Sequence, residues 1–253
     1  MLNFLNLFFG LGGLATPFIS ANLLGSNSRR LCYLTAILTT VTLAIHFLAP
    51  IPGPTGARGF QFSQAGNLLG SPVLWLLALM LFLYVSCEVG VWNWLARHLI
   101  AQGIPEPKAL NILSLGFALG LLLGRIAVAP LFAKLTPPNV TLIAAVLMAV
   151  TSFLALRTSQ PTVAWITVFF AGVAMAPVFP TTLAMVGEAF KVATATAMGI
   201  VITFGWVGLA VSSRIIGAIA GDDPRRLRGA LLVIPAFSAI MIVVNLILRP
   251  MLP

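Results

Sequence analysis

Charge is what this chain has least of. Only 8% of its 253 residues are charged, against roughly a quarter in an ordinary soluble domain. So few charges cannot keep a folded surface solvated, so the surface must face lipid. Acids are the scarcest, at five Asp and Glu together, and their scatter excludes a paired-carboxylate hydrolase. The two histidines, His46 and His98, lie far apart near span ends and read as interfacial side chains. With no HExxH, Walker loop or nucleophile elbow, an enzyme is not expected, and neither is a cofactor or metal. The two cysteines, Cys32 and Cys87, fall in apolar segments. That is too few for a disulfide framework and too far apart for a metal site, so both read as buried thiols. The net charge of +9 is spread in single residues and short clusters. It makes no basic helix and no aromatic-basic platform, which excludes nucleic acid as a partner.

Apolar runs are abundant, at 60% hydrophobic residues. A span needs about 20 apolar residues to cross a core of ~30 Å. About eight such runs follow one another: Leu2–Leu23, Leu31–Ala49, Val73–Ala96, Ala109–Leu131, Val140–Leu156, Val163–Val186, Thr194–Ala220 and Ala230–Leu248. Breakers separate them, such as Gly-Ile-Pro-Glu-Pro-Lys at 103–108 and Gly-Asp-Asp-Pro-Arg-Arg at 221–226. Backbone groups find no water inside a bilayer, so the runs are helices. The chain is an all-α polytopic membrane protein. Its one linker-like stretch, Pro50 to Pro72, carries Pro52, Gly53, Pro54, Gly56 and Gly59. It divides the chain into a pair of helices at 1–49 and a six-helix bundle at 73–253. No basic leader or cleavage site follows Met1, so the start does not read as a signal peptide.

Two features inside the spans carry information. Gly116, Gly120 and Gly124 recur every four residues and present a bare helix face for close packing; Gly199, Gly205, Gly208, Gly217 and Gly221 do something similar in the seventh run. Polar residues at depth are costly and face cavities or partners. Glu88 lies eight residues inside Ala96, or about 12 Å at 1.5 Å per residue. With Trp92 and Asn93 close by in sequence, it suits a sugar: polar groups for hydroxyls, a ring for C–H faces. Trp92 and Trp94 also fit an interfacial aromatic belt. Asn6 and Asn111 are weaker candidates for the same site. Arg125 fits a snorkelling end anchor, or a gate paired with Glu188 near the same membrane face. Pro177 and Pro180 break the sixth run, and interrupted helices near the midplane mark transporter sites.

Tyr84-Val85-Ser86-Cys87-Glu88-Val89-Gly90 resembles the seventh-helix motif of the fucose permease-like sugar transporters of the major facilitator superfamily. Leu123-Gly124-Arg125 resembles the Gly-Arg element ending their eighth helix, and Gly172 through Thr182 their tenth. Leu2–Asn6 and Phe9–Gly13 look like parts of helices five and six. The resemblance implies transport of a monosaccharide of the fucose or hexose type by alternating access, with possible coupling to protons, in the plasma membrane. It places the stretch 50–72 at the family's central cytoplasmic loop. It also implies that the first four helices of a twelve-helix protein have no counterpart here, so that a missing amino-terminal half is an expected partner. The alternative is a non-transporting scaffold or a channel-like fragment.

The resemblance implies cytoplasmic termini. The cytoplasmic side would then hold Arg58, Lys134, Lys191 and Arg249. The opposite side would hold Arg29, Arg30, Arg97, Lys108, Arg157, Arg225, Arg226 and Arg228. Four against eight is the reverse of the positive-inside rule, so charge and resemblance point to opposite orientations.

Overall fold

The computed structural model describes residues 2–49, 66, 68–128, 134–221 and 223–252, without the side chains of 2–7, 9 and 224. The linker expected at 50–72 lies almost wholly outside the described residues. The helices are α1 (Leu2–Asn22), α2 (Ser28–Leu48), α3 (Pro72–Ala101), α4 (Glu106–Asn111), α5 (Leu119–Val128), α6 (Pro137–Arg157), α7 (Pro161–Met175), α8 (Val178–Ala189), α9 (Thr194–Ala220), α10 (Pro224–Ala230) and α11 (Val233–Leu248). A π-helical segment, Ile112–Ala118, joins α4 to α5. Among the described residues no strand occurs, and seven helical stretches are long and apolar enough to span a membrane. The apolar α1, at 21 residues, adds the eighth run expected from sequence.

Local chemistry sets the helix ends. Proline opens α3, α6, α7 and α10, where its missing N–H leaves nothing unsatisfied. Gly103 (φ +88°) and Gly221 (φ +53°) take the left-handed turns after α3 and α9, a conformation that a side chain would strain. The run expected over Val163–Val186 is two helices. Ala176 and Pro177 part α7 from α8, because Pro177 and Pro180 cannot donate backbone hydrogen bonds. The last run likewise splits into the short α10 and the longer α11.

The packing follows a repeated plan. Helix α3 packs on α9 and α11, α7 packs on the π segment, α5 and α6, and α6 meets α11. Exchanging the first three spans (α3, α4–α5, α6) for the last three (α7–α8, α9, α10–α11) maps these contacts onto themselves. Bare glycines permit the closest crossings. A Cβ on Gly120 would overlap the Phe169 carbonyl, and one on Gly172 the Phe117 carbonyl. At the matching crossing a Cβ on Gly208 would overlap the Phe82 carbonyl. Ser86 seals that crossing, donating to the carbonyls of Phe82 (2.7 Å) and Gly208 (3.0 Å).

The first two helices behave differently from each other. Helix α1 lies along α4, the π segment and α5. Asn22 and Asn111 exchange amide hydrogen bonds there (2.7 and 3.3 Å), and the Ser114 hydroxyl donates to the Leu14 carbonyl (2.5 Å). Helix α2 has no buried residue. Its hydroxyls at Thr35, Thr39, Thr40 and Thr42 donate to carbonyls of their own helix, which leaves an outward face compatible with lipid. Cys32 sits on α2 and is exposed, unlike the buried Cys87. His98 is also buried, not interfacial, with a ring nitrogen 3.0 Å from the Gln102 amide.

Candidate functional site

Four spans converge on a cavity of about 180 Å³. Helix α3 gives Val85, Glu88, Val89 and Trp92; α5 gives Arg125; α8 gives Phe179; and α9 gives Ile202 and Trp206. The four α3 residues fall at i, i+3, i+4 and i+7, the spacing that lines up one helix face. Phe179 follows directly on the proline break, so the interruption of α7 and α8 opens at the cavity wall.

Glu88 and Arg125 are each only 7% exposed, so both charges are held out of bulk solvent. Among the described residues no ion pair within 4.0 Å links them; the one salt bridge is Arg226–Asp223 at 3.8 Å on the surface. One Glu88 carboxyl oxygen, Oε1, is buried without a hydrogen-bond partner, and so is the Trp92 indole N–H. An unmet acceptor and an unmet donor therefore sit on residues of one cavity. The Trp92 ring stands edge-on to Phe117 of the π segment, centroids 5.1 Å apart, and rests on Gly13 of α1. Trp206 closes the other side and is 58% exposed.

The remaining residues singled out from sequence fall elsewhere. Asn93 is outside the cavity and donates its amide to the Ser213 hydroxyl of α9 at 3.1 Å. Five residues past Glu88 is 500° of helix, or about 140° around the axis. Asn111 is spent on Asn22. Asn6 belongs to α1, but its side chain lies outside the described residues. Trp94 carries Arg97 over its ring at 5.6 Å, away from the cavity lining.

The anticipated Arg125–Glu188 gate is not formed. Glu188 is exposed and lines a separate polar pocket with Thr136, Asn139 and Arg249. Nearness to one membrane face says nothing about position around the bundle. Sequence reasoning overlooked Trp206, Phe179 and Tyr84. Tyr84 is fully buried one turn from Glu88, its ring centroid 6.4 Å from that of Phe179.

This arrangement of broken and glycine-crossed spans around an off-axis polar cavity has the architecture of one class of membrane transporter, the major facilitator fold. Two solved structures share it, both of the same protein: the major facilitator superfamily transporter FucP in the outward conformation, and the E. coli fucose:proton symporter FucP in a variant form. Each gives a TM-score of 0.66 at 18% identity over 87% of this chain. The chain spans about half the length of these structures, 54%. No family model and no curated protein matches the sequence.

Proposed function

We propose that the chain forms the solute-binding bundle of a plasma-membrane transporter, and that its solute is a monosaccharide of the fucose or hexose type. The observation that carries this is the unpartnered Glu88 oxygen in a cavity walled by Trp92, Trp206 and Phe179. A buried carboxyl lacking a partner is expensive. A sugar hydroxyl supplies the missing donor, and its C–H face covers the rings. Arg125 offers guanidinium donors to a second hydroxyl. The likeness to a fucose:proton symporter agrees with this and makes Glu88 the natural group to take up a coupled proton. Alternating access requires an opposing surface to close over the exposed Trp206 side, and we assign that role to a second helical bundle.

The test is a titration of fucose and galactose against the purified protein, with uptake into proteoliposomes beside it. Glu88→Gln keeps the shape and removes the charge. It should weaken binding about tenfold or more, the worth of a hydrogen bond to a charged group, while the bundle stays folded. Equal affinity in the variant would return Glu88 to a purely structural role. Saturable binding without uptake would favour a non-transporting scaffold.

A further inference from the structure

We propose that Tyr84 determines specificity at this cavity, its hydroxyl reading one hydroxyl of the bound solute. This rests on the transporter reading above and extends it to a residue outside the cavity's immediate lining. Tyr84, Glu88 and Trp92 stand at i, i+4 and i+8 on α3, one stripe with steps of about 6 Å. Each ends in a buried polar atom with no partner among the described residues: a phenol hydroxyl, a carboxyl oxygen and an indole N–H. Glu88 and Trp92 line the cavity, and Tyr84 packs towards Phe179, which lines it too. The Tyr84 hydroxyl lies within electrostatic reach of both Glu88 and Arg125.

Three unmet groups in one row do not serve folding, since buried polar atoms without partners oppose it. Their chemistry is graded. The indole only donates, an ionised carboxyl only accepts, and the phenol does both. An apolar solute would leave all three unmet. A solute carrying several hydroxyls answers each, because every hydroxyl both donates and accepts. Glu88 and Arg125 set the polar centre, and Tyr84 adds the contact that distinguishes one hydroxyl pattern from another. A site built to bond a hydroxyl discriminates strongly against the analogue lacking it.

Tyr84→Phe removes the hydroxyl alone. Because that hydroxyl is unpaired in the empty protein, the variant should melt at the same temperature as the unmodified chain, or higher. The experiment titrates both proteins with fucose, galactose and the single-deoxy derivatives of each, and records their melting. The expected result is about a tenfold loss of affinity for the parent sugar. One deoxy derivative, lacking the hydroxyl that Tyr84 meets, should bind both proteins equally. If the two proteins bind every probe alike, the Tyr84 assignment fails and the Glu88 reading stands. A lower melting temperature with uniform loss across all probes makes Tyr84 structural and also overturns it. If neither parent sugar binds the unmodified protein, the sugar-transport reading falls, and this inference with it.

Discussion

Asn245 shows what a polar side chain does when no cavity needs it. It is fully buried in α11 and donates to the Thr141 hydroxyl of α6 at 2.6 Å. Thr141 in turn reaches back to the carbonyls of Pro137 and Pro138. Such bonds across membrane helices average ~0.6 kcal/mol and rarely exceed about 2. A double-mutant cycle of Asn245→Leu and Thr141→Val should return a coupling energy of about 0.5–2 kcal/mol, read from unfolding of the reconstituted protein. Additive losses would show the pair to be incidental. The contrast with Glu88 explains which residues could be read from sequence. A carboxyl at depth stands out because its burial cost is large whatever surrounds it. Asn93 and Asn111 looked equally eligible, but an amide can be satisfied by one neighbour, and Ser213 and Asn22 do so. Tyr84 passed unnoticed because a tyrosine in an apolar run reads as hydrophobic bulk. Only the fold shows that its hydroxyl has no partner.

At the scale of the helix, the four-residue glycine spacing was legible and its partner was not. Spacing marks a bare face, but which carbonyl approaches it depends on how the spans pair. Gly120 meets Phe169, Gly172 meets Phe117, and Gly208 meets Phe82. Gly12 and Gly199 meet nothing within 4 Å. Gly120→Ala and Gly208→Ala should therefore each cost about 1–3 kcal/mol through overpacking. Gly199→Ala, in an open helical position, should be neutral or stabilising by up to about 1 kcal/mol. Melting temperatures of the three variants decide it; similar losses at all three would mean that the crossings are looser than described. The π segment escaped sequence reading for a related reason. Its longer hydrogen-bonded ring leaves no compositional mark, and its outcome is seen only in partners: the Leu115 carbonyl accepts from the Trp165 indole at 3.2 Å. Such segments recur at functional sites, and here Phe117 carries the π geometry directly to the cavity ring of Trp92.

For the molecule as a whole, the number of spans followed from hydropathy, but the different placement of α1 and α2 did not. Both are apolar helices of 21 residues. What separates them is small-residue and amide chemistry on α1: Gly10, Gly13, the Leu14 carbonyl and Asn22 all meet α3, the π segment or the helices flanking it. Helix α2 has hydroxyls that turn inward on its own backbone, so nothing draws it to the bundle. The consequence is that α1 forms part of the cavity's support without lining it. A Cβ on Gly13 would stand 2.8 Å from the Trp92 ring, closer than carbon atoms pack. Gly13→Val must therefore push either the ring or the helix away. If the ring moves, it leaves Phe117 and changes the shape of the cavity; if α1 moves, the Asn22–Asn111 exchange breaks. Either way, fucose or galactose affinity should fall several-fold, although residue 13 contributes nothing to the cavity wall. The emission of Trp92 should shift at the same time, measured in a chain whose other four tryptophans are replaced by phenylalanine. Gly12→Val, one residue along and facing open space, is the control and should bind as the unmodified chain does. Equal behaviour of the two valine variants would mean that α1 is only laid against the bundle and does not support the cavity.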